Sequence, residues 1–350
     1  MSATRVDFGR RMLVLRRSNF AMRFDRRSLV VCTALAVALV CMAVLALMTG
    51  SYLLTPGQVV SALTGGQSGI VHEIVVEWRL PRVVAAAVFG AALGVSGAIF
   101  QSMLRNPLAD PSIIGFTEGA YTGALIVILL INGAYLQLAG GALAGGIATG
   151  VVVYLLAYRR GVQGFRLIVV GIGVSAMLAS LNVWLILKAD LDQAMAAASW
   201  GAGSLNGVSW NQVFIGGVCI AALMMLASTL SRPMRQMELG DDAAAAHGVR
   251  VTPTRLGLLV VAVALTATVT AASGPIAFIS LVAPQIGRRL ARTPGITLAP
   301  AAMVGALLCL VADYIAQHIA PTPLPVGIIT VILGGGYLGW LLFIEARRRL

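Results

Sequence analysis

Apolar runs close to 20 residues long recur along this 350-residue chain, and short polar or charged gaps separate them. A helix needs about 20 mainly apolar residues to cross a hydrocarbon core of ~30 Å. Hydrophobic residues make up 59% of the sequence and charged residues 11%, whereas soluble globular domains have roughly 45–50% and about 25%. The sequence therefore predicts an all-α polytopic membrane protein and not a large soluble enzyme.

Ten such runs can be delimited by turn and charge signals. They cover residues 29–49, 82–104, 113–132, 136–157, 166–187, 208–230, 254–273, 276–290, 298–319 and 326–345. The eighth run is short, follows Pro275 and contains Pro284. We expect a broken helix there, because membrane proteins tolerate one where neighbouring protein or water satisfies the freed backbone groups.

Basic residues divide unequally between the two sides of this ten-span model. With the N-terminus inside, 22 of the 25 Lys and Arg residues fall on the inner side, and only Arg79, Arg82 and Lys188 fall outside. Lys and Arg accumulate in cytoplasmic loops. The distribution predicts that both termini are cytoplasmic. It also assigns the net charge of +12 to membrane topology, so no nucleic-acid partner is expected.

The N-terminal residues 1–27 are predicted to form a basic cytoplasmic arm, and residues 28–350 to form the membrane domain. The first apolar run is longer than the ~7–15-residue core of a signal peptide and lacks a clear small-residue cleavage site, so a retained anchor is expected.

Two polar stretches lie between the spans. The outer stretch, 50–81, contains Thr55-Pro56, which is a helix-start signal. In the inner stretch, 231–253, Asp241 or Asp242 is predicted to cap a short alanine-rich helix that Gly248 ends. A short helix on the cytoplasmic face would give another protein a surface to grip.

Several kinds of chemistry are excluded or disfavoured. The only lysine, Lys188, is followed by alanine, so the chain has no GxxxxGK[ST] phosphate loop, and any ATP must be bound by a partner. The cysteines lie singly in apolar runs and the histidines in separate regions, which predicts neither a metal site nor a cofactor. Ser273 and His318 lack the GxSG pattern of intramembrane serine proteases, and no catalytic residue is expected.

Asp313 lies inside the ninth run, and an ionisable residue within a membrane is a candidate functional residue. It could be the relay of a proton-coupled secondary transporter or a hydrogen-bonded structural group. We favour the structural role, although the sequence shows no intramembrane Lys or Arg to pair with it.

Arg79 and Arg82 lie three residues apart on the outer side, beside Pro81. They could be interface arginines that snorkel to the membrane surface, or a docking point for an acidic partner or an anionic solute. The residues alone do not decide between these two interpretations.

Several motifs in fixed order resemble those of the FecCD family of ABC importer permeases, and most closely its ferric enterobactin members. The matching stretches are EWRLPR (77–82), GAALGVSGAIFQSMLRNPLADP (90–111), FRLIVVGIGVSAML (165–178), GSLNG (203–207), ELGDDAAAAHGV (238–249), SGPIAFISLVAPQ (273–285) and LPVGIITVILGGGYL (324–338). They extend from about residue 28 to the end of the chain.

The resemblance implies a ten-span subunit of the bacterial inner membrane, embedded in lipid, that imports a ferric siderophore. The alternative substrates are another iron chelate, haem or cobalamin. The resemblance implies four kinds of partner: a second permease subunit (a paralogue or a second copy), two nucleotide-binding ATPase subunits, a periplasmic binding protein and the siderophore itself. Arg79 and Arg82 match arginines that meet acidic residues of the binding protein.

The resemblance also assigns two inner regions. The coupling segment, 231–253, would rest in a groove of the ATPase, and its matched residues are Gly240, Asp241, Ala244 and Gly248. A signature of the translocation path or its gate, GPIxFxxLVxPH, is matched at Pro275, Phe278 and Pro284, whereas Gln285 occupies the usual histidine position. That departure removes any role that would need an ionisable ring there.

Overall fold

The protein is described from a computed structural model that covers residues 12–17, 20–66, 69–131, 135–158 and 164–349. Within the basic arm, β1 (Met12–Arg17) and β2 (Phe20–Asp25) form an antiparallel hairpin in which Met12 lies opposite Asp25. The sequence did not predict this hairpin. Every other regular element among the described residues is helical.

In chain order, the helices are α1 (Arg26–Met48), α2 (Pro56–Leu63), α3 (Ile70–His72), α4 (Leu80–Leu104), α5 (Phe116–Ile131), α6 (Tyr135–Ala157), α7 (Gly164–Lys188), α8 (Leu191–Gly201), α9 (Trp210–Met237), α10 (Asp241–Ala246), α11 (Val251–Ser273), α12 (Ile279–Ala291), α13 (Leu298–His318) and α14 (Val326–Arg349). A π-helical segment, Glu73–Arg79, joins α3 to α4, and a 3₁₀ turn, Pro111–Ile114, precedes α5.

The predicted all-helical membrane architecture is confirmed at the level of helix length and composition. Each of the ten predicted runs falls on a helix of the described chain. Within the residues that the structure describes, seven helices are long and apolar enough to cross a membrane, and two shorter apolar helices lie at Phe116–Ile131 and Val326–Leu341. The remaining one, α12, has only 13 residues.

The second span begins earlier than the sequence suggested. We expected it to start at residue 82, but Ile70–Leu104 is one continuous helical stretch of 35 residues. In its π-helical segment the N–H of Leu80 bonds to Val75 O instead of Val76 O. Pro81 has no N–H to donate, and Trp210 Nε1 donates to Val76 O at 2.8 Å. The wider turn thus accommodates a proline that would otherwise end or kink the helix.

The outer loop follows its predicted start. Thr55 and Gln58 form a capping box at the beginning of α2, and Pro56 occupies the first helical position. This prediction is confirmed.

Helix α4 lies at the centre of the molecule and is the most buried of the seven spans. Close approach depends on its glycines: a β-carbon on Gly94 would lie 2.2 Å from Ala301 O of α13, and one on Gly97 would lie 1.7 Å from Ser280 O of α12. Only a residue without a side chain fits at such contacts, which bring helix backbones together in a membrane.

The eighth predicted run is a broken helix, as expected. After α11 the chain runs without helix from Gly274 to Phe278, and Phe278 has a left-handed backbone with φ of 68°. Pro284 lies inside α12 and cannot donate to the carbonyl one turn earlier, Ser280 O, which faces Gly97. The next carbonyl, Leu281 O, accepts from Gln101 Nε2 at 2.8 Å. Helix α4 therefore covers the backbone that the proline exposes.

Candidate functional site

The outer arginines are both held by contacts within the chain. Arg79 donates from Nη1 to Leu47 O and from Nη2 to Tyr52 O, each at 2.7 Å. These bonds fix the side chain across the end of α1 and the loop that follows it.

Arg82 forms a buried ion pair with Asp313. Its Nε lies 2.8 Å from Asp313 Oδ2 and its Nη2 lies 2.8 Å from Oδ1, and the Asp313 side chain is 2% exposed. Gln317 Nε2 donates to the same carboxylate at 2.9 Å, and Arg82 Nη1 donates to Asn206 Oδ1. The sequence showed no basic partner for Asp313. The pairing was missed because it joins residues 231 positions apart, and it depends on α4 packing against α13.

Ser273 and His318 take separate local partners. Ser273 Oγ donates to Val269 O at 2.9 Å within its own helix, and His318 Nδ1 lies 2.7 Å from Tyr314 O while its ring stacks on Tyr314. Among the described residues, no group of three or more His, Cys, Asp or Glu side chains could hold a metal ion.

The inner polar stretch contains the predicted short helix, α10, with a different start. Gly240, at φ of 120°, occupies the N-cap position, and neither aspartate caps the helix through its side chain. The prediction that Asp241 or Asp242 is the cap is wrong, because the Asp241 carboxylate pairs with two arginines, Arg105 and Arg255, instead. Ala244 is fully buried, and Gly248 follows the end of the helix at φ of 83°.

Asp241 joins α10 to α4 and α11. Its carboxylate lies 2.8 Å from Arg255 Nη2 at the start of α11 and 2.6 Å from Arg105 Nη2 at the end of α4. The hydrogen bond from Arg255 lowers the pKa of Asp241, and the charges of both arginines act in the same direction against partial burial. Leu239, two residues before Asp241, is 72% exposed, so this cluster has an apolar side chain at the surface beside it.

Two clefts lie beside α14, one lined in part by the segment that leads into α12 and the other by α12 itself. The first, of about 420 Å³, is lined by Glu118 and Asn182 on one side and by Pro275, Gly327 and Val331 on the other. The second, of about 370 Å³, is lined by residues that include Gln285, Arg288, Arg289 and Tyr337. We name them the Glu118 cleft and the Arg289 cleft.

Phe278 lies against α14. A β-carbon on Gly334 of α14 would lie 2.3 Å from Phe278 Cβ, so the helix and the aromatic residue touch there. Two of the predicted signature residues line clefts: Pro275 lines the Glu118 cleft and Gln285 lines the Arg289 cleft. Gln285 is 5% exposed and donates to Gln101 Oε1.

Glu118 and Asn182 were not identified from the sequence. Asn182 is buried, donates to Glu118 Oε2 at 3.1 Å and accepts from Thr122 Oγ1 at 2.6 Å. The available signal was a carboxylate inside an apolar run, which is costly in a membrane and marks a functional candidate.

Known transport proteins are similar to this chain along most of its length. Residues 37–343 match the model of the FecCD transport family. The chain is 48% identical to the ferric enterobactin transport system permease protein FepG of Escherichia coli (strain K12), over 93% of this chain and 99% of that protein. It is 38% identical to the iron(3+)-hydroxamate import system permease protein FhuG of Bacillus subtilis (strain 168), over 79% and 86%.

A solved structure described as an inward-facing conformation of a metal-chelate type ABC transporter superposes with a TM-score of 0.80. The two sequences are 26% identical, and the match covers 90% of this chain and 99% of that one. The family match spans most of the sequence and agrees with the fold and with the motifs, so this chain is a member of the FecCD transport family.

Proposed function

We propose that this chain is a membrane-spanning subunit of an ATP-driven importer that moves a ferric siderophore from a periplasmic binding protein into the cytoplasm. The observation that carries the proposal is the 48% identity to the ferric enterobactin permease over nearly the full length of both chains. The chain would cross the bacterial inner membrane ten times, with both termini cytoplasmic. The placement of 22 of 25 basic residues on one side supports this orientation.

The partners follow from what the chain itself contains. Its sequence has no phosphate loop, so ATP hydrolysis belongs to two nucleotide-binding subunits. A second permease subunit, a paralogue or a second copy, would complete the path, and a periplasmic binding protein would deliver the siderophore.

Docking of the binding protein is assigned to Arg79 and Arg82. An arginine has five N–H donors, and the bonds formed within the chain leave donors on each guanidinium for a carboxylate of the partner. The internal bonds hold the two side chains in place, which lowers the entropy cost of docking.

Coupling to the ATPase is assigned to Gly240, Asp241, Ala244 and Gly248. Buried Ala244 anchors α10, the Arg105 and Arg255 pairs join it to α4 and α11, and exposed Leu239 is available to a partner. A push on this helix would therefore reach two membrane spans through side-chain contacts. The region of Pro275, Phe278, Pro284 and Gln285, with the two clefts beside it, is the proposed path.

The rival function is a proton-coupled carrier with Asp313 as the relay. The buried contacts of Asp313 argue against it, because Arg82 and Gln317 already occupy both carboxylate oxygens between α4 and α13. The rival predicts uptake by this chain alone, abolished when the proton gradient is dissipated.

The function is tested by purifying the chain with its partners in mild detergent and reconstituting the complex in liposomes. We expect uptake of a ferric siderophore that requires ATP and the binding protein and survives collapse of the proton gradient. Uptake without ATP would overturn the proposal.

The docking assignment has its own test. Arg79→Glu should weaken binding-protein capture, whereas Lys188→Glu, on the same predicted side, is the matched control. Arg82→Glu is unsuitable for testing docking, because the new carboxylate would lie beside the buried carboxylate of Asp313.

A further inference from the structure

Glu238 lies at the junction between α9 and α10, within the coupling segment, where it is the C-cap residue of α9. Its Oε1 accepts a hydrogen bond from Ser102 Oγ, in the last turn of α4, at 2.7 Å. Ser102 is 2% exposed, so the partner of the carboxylate is a buried hydroxyl. A hydrogen bond to a charged group contributes more than one between neutral groups. Glu238 therefore attaches this junction to α4.

The second oxygen of the same carboxylate lies against the link between α12 and α13, residues 292–297. A β-carbon on Gly295 would lie 2.3 Å from Glu238 Oε2 and 3.3 Å from its Cδ. Gly295 does not have a left-handed backbone, so space and not conformation calls for glycine here. Thr293 Oγ1 donates to Gly295 O at 2.8 Å, and Ile296 is buried, so the link is itself held in place.

The contacts of Glu238 complement those of Asp241. Asp241 pairs with Arg105 and Arg255, which join α10 to α4 and α11. Arg105 also donates from Nε to the carbonyl of Met237, the residue before Glu238, at 3.0 Å. None of these bonds involves α12, α13 or the link between them, whereas the Glu238 carboxylate lies against that link.

The link continues from the broken helix that carries the signature residues. Helix α12 begins directly after Phe278, contains Pro284 and Gln285, and ends at Ala291, one residue before the link. Rigid secondary elements are among the structures that carry coupling between distant sites. With only 13 residues, α12 is a short element. A displacement of the link would therefore reach the signature residues through α12 itself.

We propose that Glu238 is a positioning residue of the importer, which ties the coupling segment to α4 and to the α12–α13 link at once. Movement of α10 on the ATPase is then passed to α12 and the proposed path, as well as to α4 and α11. One carboxylate has this effect because its two oxygens contact two different elements. This inference rests on the proposed importer function and deepens it by adding α12 to the elements that coupling reaches.

The test measures uptake and ATP hydrolysis together in liposomes that contain the full complex. The probe is radioactive iron, supplied as a ferric siderophore on the binding protein. We expect Glu238→Ala to lower the iron moved per ATP about fivefold, because both contacts are lost. Glu238→Gln keeps an oxygen that can accept from Ser102 and should retain most of the parent's ratio. Asp242→Ala, which removes an exposed carboxylate four residues along the chain, is the matched control.

A second variant tests the contact with the link. Gly295→Ala places a methyl group where the Glu238 carboxylate lies. The carboxylate is the far end of a flexible side chain and can shift, so the fold should be retained and the iron moved per ATP should fall about twofold. In the Glu238→Ala background the methyl group has room, and the same change should have no further effect. Gly295→Ala also gives a result if Glu238→Ala folds poorly.

Three outcomes would overturn the inference. The ratio could be unaltered in Glu238→Ala, or Gly295→Ala could cause equal losses in both backgrounds, which would show that the link acts independently of Glu238. In the third, Glu238→Gln fails to restore the ratio and all variants lose intact complex in proportion, which would make the role of Glu238 structural only. Absence of ATP-dependent uptake by the parent complex would refute the importer function and this inference with it, whereas uptake by the parent with unaltered variants would refute the inference alone.

Discussion

Two aspartates of this protein are each held by arginine, and their surroundings differ. Asp313 is 2% exposed, and Arg82 binds it with two nitrogens between α4 and α13. Asp241 is 46% exposed and is shared by Arg105, which follows α4, and Arg255 of α11. A buried charge without its partner is strongly destabilising, whereas an exposed pair contributes little. The first pair is thus suited to hold helices together, whereas losing the second should cost little stability.

The largest expected effect comes from breaking the buried pair. Asp313→Ala should lower the free energy of unfolding by about 3–5 kcal/mol, because Arg82 keeps its charge and loses its partner. Unfolding of the purified protein in mixed detergent micelles would measure the change. The double variant Arg82→Leu, Asp313→Leu is the control, since removing both charges should restore much of the stability. A loss below about 1 kcal/mol for Asp313→Ala would contradict the buried pair.

A smaller effect is expected from the neighbour of that pair. Gln317→Ala removes a 2.9 Å hydrogen bond to the Asp313 carboxylate and should cost about 1.5 kcal/mol. Once Asp313 is alanine, the same change should cost much less, because residues of one network are not additive. Equal costs in both backgrounds would show that Gln317 acts independently of Asp313.

The exposed pair should separate stability from function. Asp241→Asn is expected to change the free energy of unfolding by less than about 1 kcal/mol, because exposed ion pairs contribute little. In the reconstituted complex it should lower the amount of substrate moved per ATP hydrolysed, since α10 loses its links to α4 and α11. Asp242→Asn, one residue along the same helix, is the matched control. Unaltered coupling in Asp241→Asn would remove this aspartate from the proposed transmission.

The sequence predicted the membrane class and a helix at each of its ten apolar runs, because span length and composition are local signals. It did not predict α8, Leu191–Gly201. It also predicted the broken helix, since Pro275 and Pro284 act on their own backbone. It did not predict the pairing of Arg82 with Asp313 or the Glu118 cleft. These depend on which helices are neighbours, and the contacts join residues 231 and 64 positions apart.

The start of the second span shows how a tertiary contact can outweigh a local one. Pro81 signals a helix boundary, but the π-helical segment and Trp210 satisfy the backbone around it, and the helix continues. Trp210 lies 134 positions away from its acceptor, so no local pattern could report it.

The smallest expected effect is the pH dependence of the exposed pair. Arg255 and Arg105 lower the pKa of Asp241 in the folded protein, below the unfolded value of about 3.9. A carboxylate with a lowered pKa stabilises the fold above its unfolded pKa, and this contribution is lost as pH falls through the folded pKa. The stability difference between the parent and Asp241→Asn should therefore be constant from about pH 5 to 8 and should shrink only in more acidic solution. Unfolding measured across this range checks it, and a difference that changes near neutral pH would assign the titration to another group.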